Sequence, residues 1–141
     1  MTKAAILLFS VLLLTPWSGG NAQNKPVVTG KTKVEVYYFH PNERCPIDQS
    51  IEENARDLMQ KSFGKEIREG TIDFRVFNTD EAANAKIVSR FDINAQALYV
   101  VQIVNGKEVK KDLTGFAFQY GLSNPAKFRN GLTDEVTKAL K

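Results

Sequence analysis

Residues 34–48 read VEVYYFHPNERCPID, and a change of character inside that stretch decides the fold. The first half combines β-branched and aromatic residues and carries no charge towards its end, the composition of a central strand covered on both faces. A short loop, PNERC, follows. From Pro46 the period becomes helical: Ile51, Ala55, Leu58 and Phe63 recur on one face, and Glu52, Glu53, Arg56, Asp57 and Lys61 occupy the other. This predicts a helix from Pro46 to about Gly64. Cys45 then falls at the N-cap or beside it. Pro46 takes the first helical position, where a missing N–H costs nothing, and Asp48 takes the third.

Working towards the C-terminus, KEIREG is polar and leads through Gly70 into TIDFRVFN. There Ile72, Phe74 and Val76 alternate with Asp73 and Arg75, as in a strand. Thr79 or Asp80 can cap a second helix, EAANAKIVSRF, with Ala83, Ile87 and Phe91 inward. AQALYVVQIV and KEVKKDL flank Asn105-Gly106, the strongest short signal for a hairpin, because a type I′ turn needs positive φ at both central residues. Phe116, Phe118 and Tyr120 fall in a loop after the hairpin, plugging a core edge or offering a partner patch. Asn124-Pro125 opens a last helix with Phe128, Leu132, Val136 and Leu140 as its buried stripe. The expected fold is α/β, βαβ-ββα, with a four-stranded mixed sheet and helices on both faces.

Working towards the N-terminus, residues 23–33 are polar and basic, with Pro26 and Gly30, and read as a flexible arm. Residues 1–22 have the parts of a secretory signal peptide: Lys3, an apolar run from Ala4 to Leu14, then Gly20-Asn21-Ala22 as a small-residue cleavage site. The run is shorter than the roughly 18–20 residues a membrane span needs. Residues 34–141 form the one folded domain, and the expected product is secreted or periplasmic. The net charge of +3 includes Lys3, and the remaining basic residues are interleaved with acidic ones, which excludes a nucleic-acid footprint. Cys45 is the only cysteine of the 141 residues, so no internal disulfide forms even in an oxidising compartment.

The element order, with a cysteine in the first strand-to-helix joint, resembles the thioredoxin fold over about residues 34–140. VYYFHPNERCPID is similar to that family's strand, loop and Cys-x-x-Cys at a helix start, and FDINAQALYVVQIVNGKEVKKDLTG to its cis-proline segment and final hairpin. More narrowly, Phe39, His40, Arg44 and Cys45 match the stretch YYFH-x-x-x-RC-x-x-C of exported thioredoxin-like proteins described as nitrophenyl-compound nitroreductase subunits. Nitro reduction is not inferred from that name. Two departures bear on activity. Asp48 stands where the motif has its second cysteine, and the cis-proline position falls near Ala97, with no proline between Pro46 and Pro125.

Cys45 is the candidate reactive group, with His40, Arg44 and Asp48 as modulators. The helix N-terminus favours a thiolate, whereas a carboxylate at Asp48 repels one. Arg44 would stabilise the thiolate or meet an acidic partner, and His40 could orient or deprotonate the thiol. Cys45 can enter a mixed disulfide or link two copies of the chain, but resolution needs a second thiol. His40, Cys45 and Asp48 make a poor metal set, three ligands of mixed softness, and no motif calls for a cofactor. Two functions compete: a non-catalytic binding or accessory module for an exported protein or peptide partner, and a monothiol redox protein acting through Cys45, including a glutathione-using one.

Overall fold

Val34, Val36 and Tyr38 alternate with Glu35, Tyr37 and Phe39 along β1 (Lys33–His40), and all six are buried, so this strand has cover on both faces. The computed structural model describes residues 33–141 and places β1 inside a four-stranded sheet. β1 pairs in parallel with β2 (Ile72–Asn78) and antiparallel with β3 (Ala97–Val104). β4 (Lys107–Asp112) pairs antiparallel with β3, which gives the order β2-β1-β3-β4. The helices are α1 (Pro46–Arg68), α2 (Ala85–Phe91), α3 (Thr114–Tyr120) and α4 (Pro125–Ala139). The chain is thus an α/β fold with a mixed sheet and four helices. The leader and arm expected at 1–32 lie outside the described residues. Lys33, assigned above to the arm, is already in β1 opposite Ile103.

The two faces of β1 seed two cores. Val34, Val36 and Tyr38 pack with Ile51, Ala55, Leu58, Met59 and Phe63 of α1 and with Phe128, Leu132 and Val136 of α4. Burying each large side chain contributes about 1.5–3 kcal/mol. On the other face, Tyr37 and Phe39 form an aromatic cluster with Phe77 and Phe91, covered by Ile87 and Val88 of α2. Tyr37 meets Phe77 edge-on at 5.2 Å, and Phe39 stacks on Phe77 at 5.3 Å. The hairpin turn is as predicted, with φ of 51° at Asn105 and 75° at Gly106.

Four expectations are corrected. The first helix does not end at Gly64: it kinks at Phe63 (φ −126°, ψ 16°) and continues to Arg68, because Ile67 still finds the core beyond the polar KE pair. Residues 114–120 are a helix rather than a loop. Leu113 and Ala117 are buried four residues apart, Asp112 Oδ1 accepts the Thr114 N–H at 2.8 Å, and the Phe116 and Tyr120 rings meet at 5.1 Å. The second helix is shorter than its sequence pattern. A single 3₁₀ turn (Ala82–Asn84) precedes it, Ala83 is exposed, and Val88 takes the inward place beside Ile87. Neither Thr79 nor Asp80 caps it: the Thr79 hydroxyl donates to the His40 carbonyl at the end of β1, and Asp80 Oδ2 accepts the Asn42 N–H. Among the described residues, no helix is long and apolar enough to cross a membrane.

Candidate functional site

The carboxyl ends of the parallel pair β1 and β2 meet the N-terminus of α1, the end of an α/β sheet where loops and helix dipoles converge. Cys45 is the N-cap of α1, extended at φ −89° and ψ 166°, the conformation a following proline favours. Its thiol is exposed. The helix-start geometry read from the sequence is therefore the observed one: Cys45 at N-cap, Pro46 at N1 and Asp48 at N3.

Asp48 is the centre of the site, and it is fully buried. Its Oδ2 accepts the Cys45 backbone N–H at 3.0 Å, the Cys45 thiol at 3.0 Å and the Gln96 amide Nε2 at 3.1 Å. The Tyr38 hydroxyl, pointing up from β1, donates to Oδ1 at 3.4 Å and lies 3.3 Å from the Asp48 carbonyl. Burial alone would push this carboxyl up. The donors, led by the Cys45 thiol and N–H, outweigh it and hold Asp48 below the usual aspartate range. Tyr38 responds in the opposite sense: burial, and then the Asp48 charge, drive its hydroxyl well above the ordinary phenol value.

Arg44 adjoins Cys45 in sequence but does not direct its charge at the sulfur. Its guanidinium pairs with Glu52 at 2.5 Å and donates to the Asp48 carbonyl at 3.3 Å. Glu52 is held in turn by Arg56 at 2.6 Å, and despite burial these two cations keep its carboxyl below the usual range. Arg44 is thus a brace across the first turns of α1. His40 is likewise turned to structure. Its Nδ1 lies 2.8 Å from the Pro41 carbonyl, and a carbonyl only accepts, so Nδ1 carries the proton. No hydrogen bond joins His40 to Cys45 among the described residues.

The loop 41–44 that presents Cys45 is pinned from the β2 side. Thr79 N–H donates to the His40 carbonyl at 2.8 Å, Asn42 N–H to Asp80 Oδ2 at 2.7 Å, and Asn78 Nδ2 to Asn42 Oδ1 at 2.7 Å. Sequence reading found Cys45 and Asp48 but missed Tyr38, Gln96 and this bracket of Asn42, Asn78 and Asp80. Tyr38 read as core, and Gln96 and the bracket are polar loop or strand-end residues without a motif. The available signal was positional: Gln96 immediately precedes β3, and Asn78 ends β2, both at the sheet end that holds Cys45.

Chemically, the site offers one exposed thiol that donates to a buried carboxylate. It has no second sulfur. Among the described residues, no group of three or more His, Cys, Asp or Glu side chains is placed to hold a metal ion. No protein-family model matches the chain, and no curated protein matches it. A solved structure described as "Structure of a malarial protein" is similar at 20% identity, covering 77% of this chain and 99% of that one, with a TM-score of 0.47.

Proposed function

We propose that the chain is an exported, thioredoxin-like binding module that docks a protein or peptide partner beside the Cys45 loop and is not a dithiol oxidoreductase. The observation that carries this reading is Asp48. At the place of a resolving thiol stands a buried carboxylate that accepts the Cys45 thiol at 3.0 Å and is held by Tyr38 and Gln96. The thioredoxin-like part is supported by the strand order β2-β1-β3-β4, with α1 and α4 against one face and α2 against the other. The extra helix α3 departs from the βαβ-ββα pattern.

Without a second thiol, exchange stops halfway. A Cys45 thiolate can attack a disulfide, forming one S–S bond while the other sulfur leaves as a thiol, but no group in the chain breaks the new bond. The exposure of Cys45 favours one second reading, a monothiol protein whose mixed disulfide is released by an external thiol such as glutathione. Insulin reduction with dithiothreitol, and disulfide reduction with glutathione, separate the two. The binding module gives no rate above the uncatalysed one in either assay. Clear turnover with glutathione overturns it in favour of the monothiol protein. The exported part is tested separately, by the intact mass of protein recovered from an exporting host, expected to begin at or near Gln23.

A further inference from the structure

Among the described residues the sheet has two outer edges, and they differ in how they are protected. β4 is exposed at all six positions and carries Lys107, Lys110 and Lys111, the usual defence of an edge strand against pairing with another chain. β2, the opposite edge, reads IDFRVFN, with no lysine, no proline and four apolar residues in seven. Val34 N–H donates to the Thr71 carbonyl at one end of the β1–β2 ladder, and Thr79 N–H to the His40 carbonyl at the other. Peptide groups alternate along a strand, so the odd-numbered residues of β2 face β1. Ile72, Phe74 and Val76 therefore turn their N–H and C=O groups to the open edge.

Beside this edge, on the α2 face, lies an open cavity of about 560 Å³. Phe77 and Ile87 form its apolar floor, and Arg75, Lys86 and Arg90 stand around it with no carboxylate in the lining. Arg90 is committed to Glu35 and Glu108. Arg75 pairs with Asp73, donates to the Tyr37 hydroxyl at 2.6 Å and lies over the Phe77 ring at 5.1 Å, yet its side chain remains 45% exposed, so an incoming carboxylate meets its outer edge. Lys86 has no carboxylate partner among the described residues. Arg75 and Phe77 are two residues apart on β2, so a strand added along this edge would set its own alternate side chains beside them.

We propose that the β2 edge and this cavity form a docking site for an extended acidic peptide, bound as a fifth strand. Its backbone pairs with Ile72, Phe74 and Val76, one apolar side chain enters over Phe77 and Ile87, and carboxylates two residues away meet Arg75 and Lys86. Pairing supplies the affinity, and the cationic rim selects acidic over basic sequences. The site is separate from Cys45 and stands whether or not that thiol is redox-active.

The test uses the purified chain and a blocked, fluorescently labelled peptide of about ten residues in which Glu and Val alternate around one Phe. Anisotropy gives its Kd, and amide hydrogen exchange reports on β2. The acidic peptide is expected to bind and to protect the Phe74 and Val76 amides. A peptide with Lys for Glu should bind at least about tenfold more weakly, and added salt should weaken the acidic peptide several-fold. Val76→Pro removes an outward N–H without removing a bond to β1, so it should abolish binding while leaving the fold. Lys86→Glu, on an exposed helix face, should weaken binding about three- to tenfold and keeps the test valid if the proline variant misfolds. Four results overturn the proposal: no binding up to about 1 mM peptide, equal binding of acidic and basic peptides, affinity unchanged by both variants, or β2 amides already protected in the free chain by its own N-terminal segment or a second copy.

Discussion

Replacing Asp48 by alanine tests whether the site is held together as described. The side chain accepts four hydrogen bonds, from the Cys45 N–H, the Cys45 thiol, Gln96 and Tyr38. Losing the carboxylate at the third position of α1, which accepts the Cys45 N–H, costs about 0.5–1.5 kcal/mol. Leaving the Tyr38 and Gln96 donors without an acceptor costs about 1–3 kcal/mol more, reduced because the site opens to water at the exposed Cys45. A total of about 2–4 kcal/mol is expected, a large share of the roughly 5–15 kcal/mol that holds a domain of this kind folded. Asp48→Asn keeps the shape and one oxygen acceptor but removes the charge, and should cost about 1 kcal/mol.

The pH dependence separates a charged acceptor from a merely well-packed one. Asp48 is held below its ordinary value, so the folded state binds its proton more weakly than the unfolded state does. Its contribution is complete above the unfolded value of about 3.9 and is lost as pH falls through the lower folded value. Glu52 also sits low and loses stability in acid, but it does so in both proteins and cancels in the difference. Urea melts from pH 7 down to pH 2 should therefore show a parent-minus-Asn gap that is constant to about pH 5 and narrows as pH falls below about 4. A gap independent of pH, or an alanine variant that melts within about 0.5 kcal/mol of the parent, would refute the charged-acceptor role of Asp48.

In the same Asp48→Asn variant, alkylation of Cys45 by iodoacetamide at neutral pH should run several-fold faster, because the anion facing the sulfur is gone; an unchanged rate would separate the two groups energetically. Asp48→Cys should form a disulfide with Cys45 on treatment with oxidised glutathione, releasing two glutathione thiols, while remaining a poor insulin reductant; brisk turnover would mean that only the second sulfur is missing. Gly106→Ala places a Cβ in open space but at φ 75°, so it should cost about 1 kcal/mol through backbone strain alone, read by urea melts. Gly121→Ala should cost more, about 1–3 kcal/mol, because its Cβ would collide with Ile51 Cγ1 and lie 2.7 Å from the Ala117 carbonyl; a neutral result would mean that the α3–α1 contact yields.

The strand β1, the start of α1 and the hairpin turn were legible because each rests on local chemistry. A run of β-branched and aromatic residues, a proline one residue into a helix and an Asn-Gly pair all act over a few residues. What was not legible depends on distant partners. Nothing local in FAFQY distinguishes a helix from an aromatic loop; the decision comes from Leu113 and Ala117 finding the core. Ile67 extends α1 past a glycine for the same reason. In the site, Cys45 and Asp48 could be paired from their spacing within one turn. Gln96 reaches Asp48 from 48 residues away, and Arg44 could be read as a partner of the thiol only while Glu52 was unseen across the turn.

One position therefore serves two demands that pull apart. Exchange chemistry wants a second sulfur at the first turn of α1, free to approach Cys45. Fold stability wants an acceptor there, because a helix start leaves N–H groups without partners and the buried Tyr38 hydroxyl and half-buried Gln96 amide point to the same spot. Asp48 meets the second demand completely and the first not at all. The consequence reaches the loop in front of it: with Asp48 fixing Cys45, Arg44 tied to Glu52, and Asn42 bracketed by Asn78 and Asp80, residues 41–45 are held from both sides. A loop so braced would lose little conformational entropy on binding, and that is the energetic ground for the binding module proposed above.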